Sequence, residues 1–122
     1  MEWVVRRRTR PIEPFLWLLF SAGGVLAALF LPAVVLLFGV VYPLGGIGPP
    51  TYPGLHALAA HALTRVVIFS VCVLSLIHWA HRFRFIVLHG LQIGRLDRLV
   101  SVFCYGGALA ASLAALVVLM RI

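Results

Sequence analysis

Three long apolar runs organise the chain. The first extends from about Phe15 to Val41 without a charge, and the second from about His56 to Ala80 with only Arg65 interrupting it. The third runs from about Leu99 to Met120, again uncharged. An α-helix rises ~1.5 Å per residue, so ~20 apolar residues cross the ~30 Å hydrocarbon core of a bilayer, and each run is long enough. The pattern predicts an all-α membrane protein with three transmembrane helices over residues 15–41, 56–80 and 99–120. These make one anchor domain, residues 13–122, behind a basic N-terminal tail, residues 1–12. No heptad repeat, low-complexity tract or large soluble domain accompanies them.

Local signals refine the spans. Pro11 and Pro14 fit just before and at the first turn of the first helix, where a missing N–H costs little. Pro32 falls mid-span and predicts a kink that neighbouring helices must accommodate. The tract Arg6-Arg7-Arg8-Thr9-Arg10 resembles the basic start of a signal peptide. The apolar run behind it is about twice the length of a signal core and lacks a clear small-x-small cleavage site, so a retained helix is expected. Tyr42 to Gly54, rich in Gly and Pro, reads as a turn-rich cap between the first two spans. Small residues recur at helical spacing as Gly106, Ala110, Ala114, as Gly107, Ala111, Ala115, and as Ser21, Gly24, Ala28. Such rows let helices approach closely, either within the chain or against another membrane protein.

Composition agrees with this reading. Of 122 residues, 63% are hydrophobic and 11% charged, against ~45–50% and ~25% in average soluble domains. An ordinary soluble domain and a disordered chain are both excluded, and three acidic residues leave little inventory for a self-sufficient enzyme. The ten basic residues are all Arg, and the net charge is +7. They cluster at the edges of the apolar runs, the distribution that membrane insertion imposes rather than a nucleic-acid footprint, and no nucleic-acid partner is expected. Arg6, Arg7, Arg8 and Arg10 precede the first span. Arg82, Arg84, Arg95 and Arg98 lie between the second and third, while the Tyr42–Leu55 connection has none. The positive-inside rule therefore sets the N-terminus in the cytoplasm and the C-terminus outside. Cys72 and Cys104 lie inside apolar runs without zinc or redox spacing and read as small core residues.

Two clusters could carry chemistry. Glu13 and Trp17 stand one turn apart where the first span enters the membrane, ahead of Ser21-Ala22-Gly23-Gly24. Taken alone, Trp17 reads as an interfacial anchor and Glu13 as a helix-start acid or an Arg partner. His78, His81, Arg82 and Phe85 share a helical face at the cytoplasmic end of the second span, and alone they read as a positive-inside flank. Topology puts both clusters at one membrane level. An indole donor, a guanidinium, an imidazole and a carboxylate would then meet among apolar walls, the make-up of a small-ligand pocket. A quinone head group suits it. Trp17 and Arg82 would donate to the oxygens as charge develops, and His81 or Glu13 would help move protons. Nothing in the chain supplies electrons, so a separate redox subunit is required. His56 and His61 near the outer end of the second span, and His89 beyond its inner end, are not favoured as ligands. Arg65, about two turns from the outer surface, is expected to snorkel, with a second quinone contact or an intersubunit contact as the lesser reading.

Three stretches resemble the D-type membrane anchor of bacterial fumarate reductase, a small hydrophobic subunit. Glu13-Pro14-Phe15-Leu16-Trp17-Leu18-Leu19-Phe20-Ser21-Ala22-Gly23-Gly24 is similar to that family's E-P-x-x-W-x-x-F-x-A-G-G opening. Pro43-Leu44-Gly45 and His81-Arg82, with His89-Gly90-Leu91 following, resemble its later segments. The chain departs in carrying Arg84 and Phe85 where further His can occur, and in a His81-to-His89 interval one residue longer. The resemblance implies one of two small anchors, beside a second membrane anchor of the C type. These hold a flavoprotein subunit with FAD and an iron–sulfur subunit with its clusters on the cytoplasmic face of the bacterial inner membrane. It implies a menaquinone/menaquinol site shared with those partners, lined here by Trp17 and Arg82 with His81 beside them, and no haem. Glu13 is the weaker candidate, since the family's carboxylate comes from the C-type anchor. A succinate dehydrogenase anchor, whose direction of catalysis the anchor sequence does not fix, is one alternative; a small multispan transporter and an assembly protein are the others, set apart from an anchor by whether flavin and iron co-purify.

Overall fold

The computed structural model describes residues 12–122, the Glu13 side chain excepted. The basic tail expected over residues 1–12 lies outside the described residues, Ile12 apart. Helix α1 spans Glu13–Leu36, with Pro14 in its first turn where it breaks no hydrogen bond. The helix is unbroken across Pro32. Departure from α geometry comes one turn later, in the π-helical Leu37–Val41, where Tyr42 N–H bonds the Leu37 carbonyl at 3.0 Å. Turns and bends follow through Ile47, and the hydroxyl of Thr51 caps helix α2, Tyr52–Ala60, by accepting from Gly54 N–H.

The second span differs from its expected outline. His61 adopts extended geometry at φ −66° and ψ 133°, ends α2 and opens helix α3, Ala62–Gly90. The helix also runs well past Ala80. The apolar run ends there, but His81 to His89 carry no helix breaker, and their polar groups pair with neighbours rather than demanding a turn. At 29 residues α3 is about 43 Å long, more than a bilayer core requires. A short turn, in which Gln92 takes φ 53°, and a 3-10 turn at Gly94–Leu96 lead into helix α4, Asp97–Arg121.

Three helical stretches are long and apolar enough to cross a membrane, as expected: Pro14–Val41, Ala62–Gly90 and Gly94–Arg121. Their most apolar windows have mean hydropathies of 2.7, 1.9 and 2.2, yet almost none of that surface is buried within the chain. Helix α3 is central and packs against both α1 and α4, which scarcely touch each other. Its seam with α4 is closed by small side chains. Ala80, Cys104 and Ala108 are fully buried there, flanked by Leu76 and Val100. Cys104 is thus a core residue, while Cys72 is half-buried. The Gly106 and Gly107 rows, by contrast, lie exposed but for half-buried Ala115, with open space where a Cβ on either glycine would project.

Candidate functional site

The site begins with two glycines. A Cβ on Gly23 would run into the Leu74 carbonyl and come within 3.1 Å of the His78 Cβ. One on Gly24 would meet the His78 ring at 2.6 Å. Without side chains there, α1 and α3 approach closely, as small residues permit in apolar surroundings. The approach brings His78 Nδ1 within 2.8 Å of the Phe20 carbonyl oxygen. A carbonyl only accepts, so Nδ1 carries the proton. The His78 ring also stacks on Phe20, with centroids 4.3 Å apart and planes 16° from parallel.

Phe20 in turn organises the neighbouring rings. Trp17 meets it edge-on at 6.1 Å, and His81, one turn beyond His78, meets it at 4.9 Å and 66°. Phe85 meets the same imidazole at 4.9 Å and 67°. The His81 ring is therefore held between two phenyl rings, and its Nδ1 lies 2.8 Å from the hydroxyl of Tyr105 on α4. Because α1 and α4 stand apart, a cavity of about 370 Å³ opens between them with α3 as its floor. Its lining is Leu16, Trp17 and Phe20 from α1, Ile77 and His81 from α3, and Tyr105 from α4. The walls are largely apolar. An indole N–H, an imidazole and a phenol supply the polar contacts, the proportions of a small-ligand site.

Just beyond the cavity an ion pair closes the α3–α4 turn. Arg84 donates from Nε at 2.9 Å and from an Nη at 2.7 Å to one Asp97 oxygen. Asp97 sits in the first turn of α4, where the helix dipole favours an acid. Ser101 donates back to the Asp97 carbonyl at 2.6 Å.

The two expected clusters meet in part. Trp17 and His81 line one cavity, as their common membrane level requires. Arg82 is exposed and is not among the lining residues. The Glu13 side chain lies outside the described residues. His78 shares the face expected of it but acts as a tie to α1. His89 bonds the Phe85 carbonyl of its own helix, and His56 packs against Tyr52. Half-buried Arg65 has its Nε shielded from solvent without a hydrogen-bond partner among the described residues. No group of three or more His, Cys, Asp or Glu that could hold a metal ion occurs among the described residues. Sequence reasoning missed Leu16, Phe20, Ile77 and Tyr105. Two of them had a readable signal: Phe20 as the Phe of the E-P-x-x-W-x-x-F motif, and Tyr105 as the one phenol inside the third apolar run.

Comparison with known proteins agrees with this architecture. The family model for the fumarate reductase D subunit matches residues 7–120. The fumarate reductase D subunit of Mycobacterium tuberculosis (strain H37Rv) is 50% identical over 107 residues, covering 88% of this chain and 86% of that protein. Its counterpart of the same name in Mycobacterium bovis (strain AF2122/97) matches to the same extent, 50% over 107 residues. That of Shewanella putrefaciens is 40% identical over 108 residues, covering 85% of this chain and 84% of its own length.

Proposed function

The chain belongs to the fumarate reductase D-subunit family, and on that basis we propose that it anchors the redox subunits of a fumarate reductase and walls a menaquinol-binding site. As a subunit it works within a complex, and its three apolar helices make it a multi-pass membrane protein. In this reading a second anchor, of the C type, stands beside it in the bacterial inner membrane. A flavoprotein with FAD and an iron–sulfur protein sit on the cytoplasmic face. The Arg distribution supports that orientation: Arg6, Arg7, Arg8 and Arg10 precede α1 in sequence, and Arg82, Arg84, Arg95 and Arg98 lie in the α3–α4 turn and the helix ends beside it.

The observation that carries the reading is the convergence of Trp17, His81 and Tyr105, from three helices, on one apolar cavity. They stand near the start of α1, toward the end of α3 and near the start of α4, which places them at the Arg-rich end. The residues fit a flat, apolar head group with two oxygens. Leu16, Phe20 and Ile77 offer the planar contact surface, and the indole, phenol and imidazole offer groups that hydrogen-bond oxygen. When bound, a quinol supplies two electrons to the iron–sulfur protein and releases two protons. Trp17 Nε1–H donates only, so it orients an oxygen and strengthens as negative charge builds there. His81, its Nδ1 engaged by Tyr105, is left Nε2 with which to hydrogen-bond an oxygen of the head group. Arg82, next to His81 in sequence and exposed, contributes a cation beside the cavity rather than part of its lining.

Binding of menadione, the bare methylnaphthoquinone head group, to the purified complex tests the proposal. Trp17→Leu and His81→Ala should each weaken binding about tenfold or more, the scale of a charge-assisted or buried hydrogen bond, and Arg82→Ala less. Unchanged affinity in both the Trp17 and His81 variants would overturn the site.

A further inference from the structure

We propose that Tyr105 is a positioning residue, whose O–H donates to His81 Nδ1 and holds that imidazole in the tautomer carrying its proton on Nε2. The inference rests on the quinone-site reading above and adds to it the group that decides what His81 can do.

The geometry singles out the hydroxyl. His81 is gripped between the rings of Phe20 and Phe85, each centroid 4.9 Å from its own, and these contacts fix where the ring lies without choosing its proton. The one polar partner at Nδ1 among the described residues is the Tyr105 oxygen, 2.8 Å away on a different helix. A phenol is a good donor and a poor acceptor, whereas the bare nitrogen of a neutral imidazole is a strong acceptor. The bond therefore runs from O–H to Nδ1, and the ring proton resides on Nε2. His78, one turn earlier, provides the contrast. Its Nδ1 faces the Phe20 carbonyl, which only accepts, so its Nδ1 carries a proton. Nδ1 thus donates in one histidine of the helix and accepts in the other, and of the two only His81 lines the cavity. The distinction matters for a ligand whose oxygens accept. An Nε2–H binds such an oxygen, and a bare Nε2 repels it. The Tyr105 ring fills one wall, but its hydroxyl sets the polarity of its neighbour.

The test uses the intact complex with nitrogen-15 labelled histidine and menadione as the probe, comparing the unchanged chain with Tyr105→Phe, His81→Ala and Trp17→Leu. The resonances lost in His81→Ala identify His81. In the unchanged complex His81 should be neutral with its proton on Nε2. A proton on Nδ1 overturns the proposal without recourse to any Tyr105 variant. In Tyr105→Phe, at unaltered subunit stoichiometry, the His81 signal should become a mixture of tautomers and menadione should bind about twofold more weakly, in step with the reduced share of the Nε2–H form. If Trp17→Leu and His81→Ala weaken binding but Tyr105→Phe does not, the positioning role fails and the site stands. Weaker binding in Tyr105→Phe with an unaltered His81 tautomer makes Tyr105 a direct contact and also overturns positioning. If none of the three variants weakens binding, the quinone-site reading itself fails.

Discussion

His78 Nδ1 donates to the backbone carbonyl of Phe20 across 2.8 Å, joining α3 to α1 between residues 58 positions apart. That carbonyl lies within an α-helix, and its second lone pair is reachable only because Gly23 and Gly24 leave no side chain between the two helices. The bond also sets the Phe20 ring, which contacts both Trp17 and His81. The shape of the cavity therefore depends on a contact outside it.

The two glycines should respond unequally to a methyl group. At Gly23 the added Cβ meets backbone, the Leu74 carbonyl, which cannot move without shifting α3. At Gly24 it meets the His78 imidazole, whose ring can rotate away at the expense of its bond to Phe20. Gly23→Ala should cost about 1–3 kcal/mol, the range of overpacked cores, and Gly24→Ala about 1 kcal/mol, the worth of one hydrogen bond. Unfolding of the detergent-solubilised complex by a graded denaturing detergent would measure both. Equal losses would show that the backbone clash does not govern the α1–α3 contact.

Orientation can be read at two glycines that face open space. A Cβ at Gly48 or Gly94 meets nothing within 4 Å. With Cys72 and Cys104 replaced by Ala, Gly48→Cys should react with a membrane-impermeant maleimide added outside intact cells. Gly94→Cys should react only after the cells are opened. The reverse pattern would place the Arg-rich turn outside and contradict the positive-inside assignment.

The Arg84–Asp97 pair should contribute little to stability. The two side chains are 24% and 47% exposed, so water screens the attraction. A double-mutant cycle with Arg84→Met and Asp97→Asn should give a coupling of about 0.5–1 kcal/mol, diminishing with added salt. A coupling of several kcal/mol would mean that the pair is shielded in the assembled complex by another protein.

The membrane architecture was legible from the residues alone: three spans, their order, and the level at which Trp17 and His81 would meet. Hydrophobicity is summed residue by residue over ~20 positions, so the spans need no knowledge of their neighbours. The family motif at Glu13–Gly24 was equally local. Which faces meet was settled only by packing. Each span is apolar all round, because lipid wants what a helix interface wants, and periodicity then cannot distinguish an inner face from an outer one. The glycines of α1 became a helix contact while Gly106 and Gly107 stayed open. Arg82 fell outside the cavity that its neighbour His81 lines, since adjacent helical residues point about 100° apart. Tyr105, 24 positions from His81, reached it only through the packing of α4 on α3, set by the buried Ala80, Cys104 and Ala108.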